Sequence, residues 1–149
     1  MRIRRAEASD QAAIEAIVAR AYEPWIERIG IRPRPMEQDY AERIAATDAF
    51  VLEDDDGIAG LLILEVDGGH LVVDNVAIDP SRQGKGLGRR LLAYAEDRAR
   101  EKGVPELRIY THQKMTENIE LYTRLGYVEY ERRTVDGRDG VFMAKGLRG

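Results

Sequence analysis

The sequence predicts one α/β (α+β) domain: a mixed central β-sheet flanked by helices, in the order β-α-α-β-β-β-α-β-α-β-β. Three observations carry this expectation. The chain has 149 residues, which suits a single domain with a single core. Two tight turns, Asp54-Asp55-Asp56-Gly57 and Asp67-Gly68-Gly69, join three successive apolar runs as hairpins. Residues His70 to Lys102 then form a strand, a glycine-rich turn and a helix in direct succession.

Composition narrows the class. Hydrophobic residues make up 44% of the chain, too many for a disordered protein. No apolar run approaches the ~20 residues that span a membrane, and no apolar signal core follows the basic start Met1-Arg2-Ile3-Arg4-Arg5. The absence of cysteine excludes disulfides, a thiolate zinc site and a cysteine nucleophile. A cytoplasmic location is expected, and no metal site. A net charge of −4 argues against coating nucleic acid.

The elements follow in order. Arg2 to Ala6 reads as a short strand. Ser9-Asp10 offers a cap for a helix to about Tyr22, with Ile14, Ile17, Val18 and Ala21 on its apolar face. Pro24 is expected to end or kink it. Tyr22 to Tyr40 is the least regular stretch, with Trp25, Pro33, Pro35 and Arg28, Arg32 and Arg34. A loop of this length carrying aromatics suggests a functional wall, although Trp25 alone reads as a core anchor. A second helix is expected from about Met36 to Ala46, then strands at Ala49–Glu53, Ile58–Val66 and from His70. The acidic run Glu53 to Asp56 lacks calcium-loop spacing and reads as a solvated hairpin tip.

Val72, Val73, Val76 and Ile78 mark the central strand, stopped by Asp79-Pro80. Leu87, Leu91, Ala95 and Ala99 recur every four residues on the following helix. Gly103 stops that helix, Leu107 to Thr111 is a strand, and a helix runs from about Thr116 to Leu125 before Gly126. Tyr127–Thr134 and Val141–Lys145 form a last strand pair.

The turn between the central strand and its helix holds Gly84, Gly86 and Gly88. Free N–H groups at a helix start, the helix dipole and backbone without a Cβ together suit a pyrophosphate. Arg82, Lys85, Arg89 and Arg90 add charge nearby. A plain glycine-rich turn is the alternative. Two familiar phosphate loops do not fit. Lys85 is followed by Gly86 rather than Ser or Thr, and the third glycine of the dinucleotide fingerprint is missing.

The pattern Gln83-x-x-Gly86-x-Gly88 after Val-Ala-Ile-Asp-Pro resembles the acyl-CoA loop of the GNAT superfamily of N-acetyltransferases. Leu121-Tyr122-x-x-Leu125-Gly126-Tyr127 resembles a second, separate signature of the same family. The resemblance implies an acyl-CoA N-acyltransferase-like fold over residues 1–149. It implies acetyl-CoA as cosubstrate and direct transfer of acetyl to a primary amine. The loop residues Gln83, Gly84, Lys85, Gly86, Leu87, Gly88 and Arg89 would hold the pyrophosphate. Val76, Ala77 and Ile78 would hold the pantetheine arm and supply a backbone N–H to the thioester oxygen. Tyr122 would serve the leaving sulfur. A phenol near pKa ~10 and a thiol near ~8.5 differ by about 1.5 units, so full proton transfer is uphill by roughly 2 kcal/mol. Read without the motif, Tyr122 is a core aromatic.

Asn118 resembles a CoA-contacting asparagine, but Met115 stands where many relatives place that residue. An ordinary first-turn residue is the alternative. The base is not identified. Asp74, Asn75 (through a water only), Glu65, Glu23 and His112 are candidates, beside a chain of waters. The acceptor stays open between a small-molecule amine and a protein or peptide amine, as does a homodimer. Two rivals remain: a non-catalytic acyl-CoA-binding module on the same fold, and an ATP-binding regulator.

Overall fold

The computed structural model describes residues 1–147. Seven strands form one sheet: β1 (Arg2–Arg5), β2 (Asp48–Asp54), β3 (Gly57–Asp67), β4 (His70–Ile78), β5 (Glu106–His112), β6 (Val128–Val135) and β7 (Arg138–Gly146). Their order across the sheet is β1-β2-β3-β4-β5-β7-β6. Four helices cover it: α1 (Gln11–Ile29), α2 (Tyr40–Ala46), α3 (Leu87–Glu101) and α4 (Thr116–Arg124). The predicted element order and mixed sheet are those observed. No helix among the described residues is long and apolar enough to cross a membrane.

The core has two layers because the middle strands are apolar on both sides. Phe50, Leu52, Leu62 and Leu64 face α3 and α4, joining Leu87, Leu91, Leu92, Ala95 and Ala99. Ala49, Val51, Leu61 and Ile63 alternate with them and face α1 and α2, joining Ile14, Ile17, Val18 and Tyr40. This period of two, with both faces buried, is why β2 and β3 read as continuous apolar runs.

Several local expectations are corrected. Helix α1 runs through Pro24 to Ile29 and ends at Gly30, whose left-handed φ of 87° lets its N–H reach the Ile26 carbonyl. Pro24 and Arg20, whose carbonyl would have bonded the missing N–H, both lie on the exposed face, where water can serve that carbonyl. Asp10 does not cap α1 by its side chain. It is buried, accepts from the Glu7 N–H at 2.7 Å and pairs with Arg4 at 2.8 Å. The helix expected from Met36 begins only at Tyr40, behind a short 3-10 turn at Arg34–Glu37, because Asp39 supplies the cap to the Glu42 N–H. Glu53 and Asp54 are not free at a hairpin tip: Arg2 and Arg4 hold Glu53, and Arg82 holds Asp54.

Two irregularities in β4 build the site. Strands β4 and β5 are parallel neighbours, paired only from Leu71–Val73 to Leu107–Ile109. Beyond Val73 they part. At the same point the register with β3 shifts: Leu64 pairs with Val73 and Ile63 with Asn75, leaving Asp74 as the extra residue of a β-bulge. The bulge reverses the alternation. Leu71 and Val73 face α3 and α4, and so, past the bulge, do Val76 and Ile78, while Ala77 turns to the α1 side.

Candidate active site

Two cavities meet where β4 and β5 part. The first is lined by β4, the glycine loop, α1 and the starts of α3 and α4. The second, of about 340 Å³, lies between β4, β5, the Pro33–Pro35 segment and the β6–β7 hairpin. Tyr22, Val76, Met115, Asn118 and Tyr122 line both.

The first cavity gathers most of the residues expected to hold the cofactor. Val76, Ala77, Ile78, Gln83, Gly84, Gly86, Leu87, Gly88, Arg89, Asn118 and Tyr122 line it; Lys85 does not. Gly84 and Gly86 have left-handed φ angles of 82° and 75°, and Gly86 is the residue from which α3 starts. Gly88 has no such angle. A Cβ there would meet no protein atom nearer than Ile78 at 4.0 Å, so the space in front of it is open. An open cradle over free helix N–H groups is the shape a phosphate needs, and the loop fits the pyrophosphate of an acyl-CoA.

The charge around the loop differs from the expectation. Arg82 is bound by Asp54 at 2.9 Å and by Asp79 at 3.3 Å, so its charge is already matched. Arg90 reaches the Met1 carbonyl instead. Arg89 lines the cleft and has no carboxylate partner among the described residues. Trp25 is half-buried in this wall with the Arg28 guanidinium 4.9 Å from its ring, so it is no core anchor. Arg28 also bonds Thr116 and Glu117, joining the end of α1 to the start of α4 across the cleft.

Tyr122 stands at the junction of the two cavities. Its ring packs 6.0 Å from that of Tyr127, and no protein group among the described residues bonds its hydroxyl. Burial pushes its phenol well above the ordinary tyrosine value. Proton donation from this phenol to a thiolate would then be more uphill than the sequence estimate, while the O–H can still donate a hydrogen bond.

In the second cavity, the bulge presents Asp74, the only carboxylate among its described lining residues. Arg43 donates to Asp74 at 3.1 Å and to Glu65 at 3.0 Å. The Tyr110 hydroxyl lies 3.0 Å from the Asp74 carbonyl oxygen. Asn75 is buried between two phenols: it accepts from Tyr22 at 2.8 Å and donates to Tyr40 at 2.9 Å. Tyr40 in turn donates to the Pro35 carbonyl, tying the irregular segment to the bulge. Burial raises the pKa of Tyr22, Tyr40 and Tyr110, which keeps all three as donors.

The candidate bases now separate by place. Glu23 and Glu65 do not line this cavity. His112 does, but its Nδ1 lies 3.1 Å from the Lys114 N–H and its Nε2 3.3 Å from the Asp139 N–H. A neutral imidazole can accept at only one nitrogen, so both positions face donors and neither is open to a substrate proton. Burial also lowers its pKa. Asn118 donates to the Thr111 hydroxyl at 3.3 Å and faces both cavities. Sequence reasoning missed Arg43, Tyr40 and Tyr110. Tyr22 was hidden as the next turn after Val18 on an apolar helix face.

A family model described as "Acetyltransferase (GNAT) family" matches residues 12–127, and the chain belongs to that family. It is 31% identical to the S-(2-succino)cysteine N-acetyltransferase of Bacillus subtilis, covering 99% of this chain and 96% of that protein. It is 35% identical to the mycothiol acetyltransferase of Clavibacter sepedonicus over 63% of this chain, but spans only 31% of that protein's length. Among solved structures, the ribosomal-protein-S18-alanine N-acetyltransferase of Escherichia coli superposes with a TM-score of 0.74 at 28% identity, covering 99% of this chain and 96% of that one. The PaiA N-acetyltransferase of Thermoplasma acidophilum, solved with coenzyme A, shares the fold at a TM-score of 0.77 and 18% identity, covering 98% of each chain.

Proposed function

We propose that residues 1–149 are one acetyltransferase domain that moves the acetyl group of acetyl-CoA directly to a primary amine. The observation that carries this reading is the meeting of two cavities at Tyr122, one beneath the glycine loop and one beside the Asp74 bulge. The relatives are named for mycothiol, S-(2-succino)cysteine and an alanine of ribosomal protein S18, so the reading covers both small-molecule and protein amines.

Acetyl-CoA supplies an activated carbonyl; the amine nitrogen bonds to that carbon, the carbon–sulfur bond breaks, and sulfur receives a proton. The chain's own groups do the rest. The loop amides from Gln83 to Arg89 bind phosphate, and Asn118 borders the cofactor wall. Past Val73, β4 has no strand partner on the β5 side. Backbone groups of Val76, Ala77 and Ile78 there orient the acyl arm, and one N–H meets the thioester oxygen. Asp74 takes the proton lost by the amine, directly or through water. Tyr122 keeps its proton and donates a hydrogen bond to the departing sulfur, while the proton that Asp74 took from the amine passes through water to the thiolate. A cytoplasmic location accords with the cysteine-free sequence.

The test is release of CoA thiol with an amine panel, comparing wild type with Tyr122→Phe. The expected result is a fall in kcat of roughly tenfold to a hundredfold with acetyl-CoA affinity intact. An unchanged kcat removes Tyr122 from the chemistry. Tight acetyl-CoA binding without turnover of any amine would favour a binding module.

A further inference from the structure

Most arginines among the described residues meet a carboxylate. Arg2, Arg4, Arg5, Arg20, Arg28, Arg32, Arg43, Arg82, Arg98, Arg100, Arg108, Arg132 and Arg133 all do. Among the described residues, those that do not are Arg34, Arg89, Arg90, Arg124 and Arg138. Arg89 lines the phosphate loop, where an anion is expected. Arg34 and Arg138 both line the acceptor cavity.

Their settings are built. Arg34 lies 5.3 Å from the centre of the Tyr110 ring, Tyr110 packs 6.1 Å from Phe142, and the Arg133 guanidinium lies 4.3 Å from Phe142 on the other flank. Guanidinium groups stacked on rings keep their in-plane N–H groups free for a carboxylate. Arg138 uses Nε on the Arg32 carbonyl and Nη1 on the Asp136 carbonyl, which holds its head over the cavity. Arg133 is already matched by Glu131 at 3.1 Å. The one carboxylate in the lining, Asp74, is matched by Arg43. The acceptor cavity is therefore cationic with aromatic walls. Such a cavity repels a polyamine and attracts an amine that carries its own negative charge.

We propose that the acceptor is a free amino acid, whose carboxylate is held by Arg34 and Arg138 while its amine faces Asp74 and Tyr122; this rests on the acetyl-transfer reading above. A peptide N-terminus, whose carboxyl is an amide, lacks the group these arginines would bind.

The experiment pairs free L-amino acids with their carboxamides and with putrescine as acceptors, in wild type, Arg34→Met and Arg138→Met. Calorimetry with acetyl-CoA, and with N-acetyl amino acids in the presence of CoA, runs alongside. The expected result is a kcat/KM at least about tenfold higher for acid than for carboxamide, with the ratio falling toward one in either variant. Among the described residues the Arg34 side chain bonds no backbone group, so its variant tests the idea even if Arg138→Met perturbs the segment. Equal use of carboxamides or putrescine, or a ratio that survives both variants, overturns the proposal. So does acetyl-CoA binding with neither turnover of an amino acid nor binding of an N-acetyl amino acid, which leaves acetyl transfer to another amine intact. Failure to bind acetyl-CoA at all would instead remove the reading beneath it.

Discussion

Asp10 shows how one carboxylate can belong to the framework rather than the chemistry. It sits buried beneath β1, holding Arg4 with both oxygens and the Glu7 N–H with one of them. The Arg4 hydrogen bonds depress its pKa below the ordinary aspartate value, and the Glu7 N–H adds to this, against the opposing effect of burial. A depressed carboxylate contributes stability above its unfolded pKa, and that contribution disappears as pH falls through the folded one. Wild type should therefore lose stability below about pH 4. In Asp10→Asn that component should be missing, with about 2 kcal/mol lost at pH 7. The figure is kept below that of an enclosed pair because Arg4 remains 24% exposed. Urea titrations of both proteins from pH 3 to 7 check the slope and the offset. Tyr122 makes the contrasting case: buried as well, but with its hydroxyl bonded by no group among the described residues.

At the scale of elements, the turn between β4 and α3 separates two uses of glycine. Gly86 answers a backbone demand, since its φ of 75° is costly for residues with a Cβ. Gly86→Ala should lower stability by about 1 kcal/mol as well as acetyl-CoA affinity. Gly88 lies inside α3 with no such demand, and a Cβ there would meet only Ile78, at an ordinary contact distance of 4.0 Å. Gly88→Val should leave the melting temperature nearly unchanged while weakening acetyl-CoA binding tenfold or more, because the added carbons occupy the phosphate's space. Calorimetry and thermal melting on the two variants separate strain from obstruction.

Across the whole molecule, the cleft is walled by α1, β4, α3 and α4, so a ligand in it bridges elements from both faces of the sheet. Binding only the folded form, acetyl-CoA at 100 times its Kd should add about 2.7 kcal/mol of stability. For a chain of this size that is a rise in Tm of about 5–10 °C, read by a melt with and without ligand. A melt unmoved at that concentration would contradict binding across the cleft.

The loop from Gln83 to Arg89 and the stretch around Tyr122 were legible because each is contiguous, and local backbone demands are written where they act. The order of strands and helices was legible for the same reason: periods of two and of four are local. Pro24 misled because proline reports only the loss of one N–H, whereas solvent on the outer face of α1 decided whether that loss mattered. The second cavity was not legible. Tyr22, Tyr40, Arg43, Tyr110 and Arg138 come from α1, α2, β5 and β7, and nothing local marks their convergence. The bulge at Asp74 decides it, by reversing which face Asn75 and Val76 occupy, and the end of β4–β5 pairing at Val73 opens the gap. By itself the sequence determined the family, the loop and the element order. Only the tertiary structure decided the wall of the second cavity, because a one-residue shift in strand register is set by the strand's partners, and apolar Val72 and Ala77 hide the change of phase between Val73 and Val76.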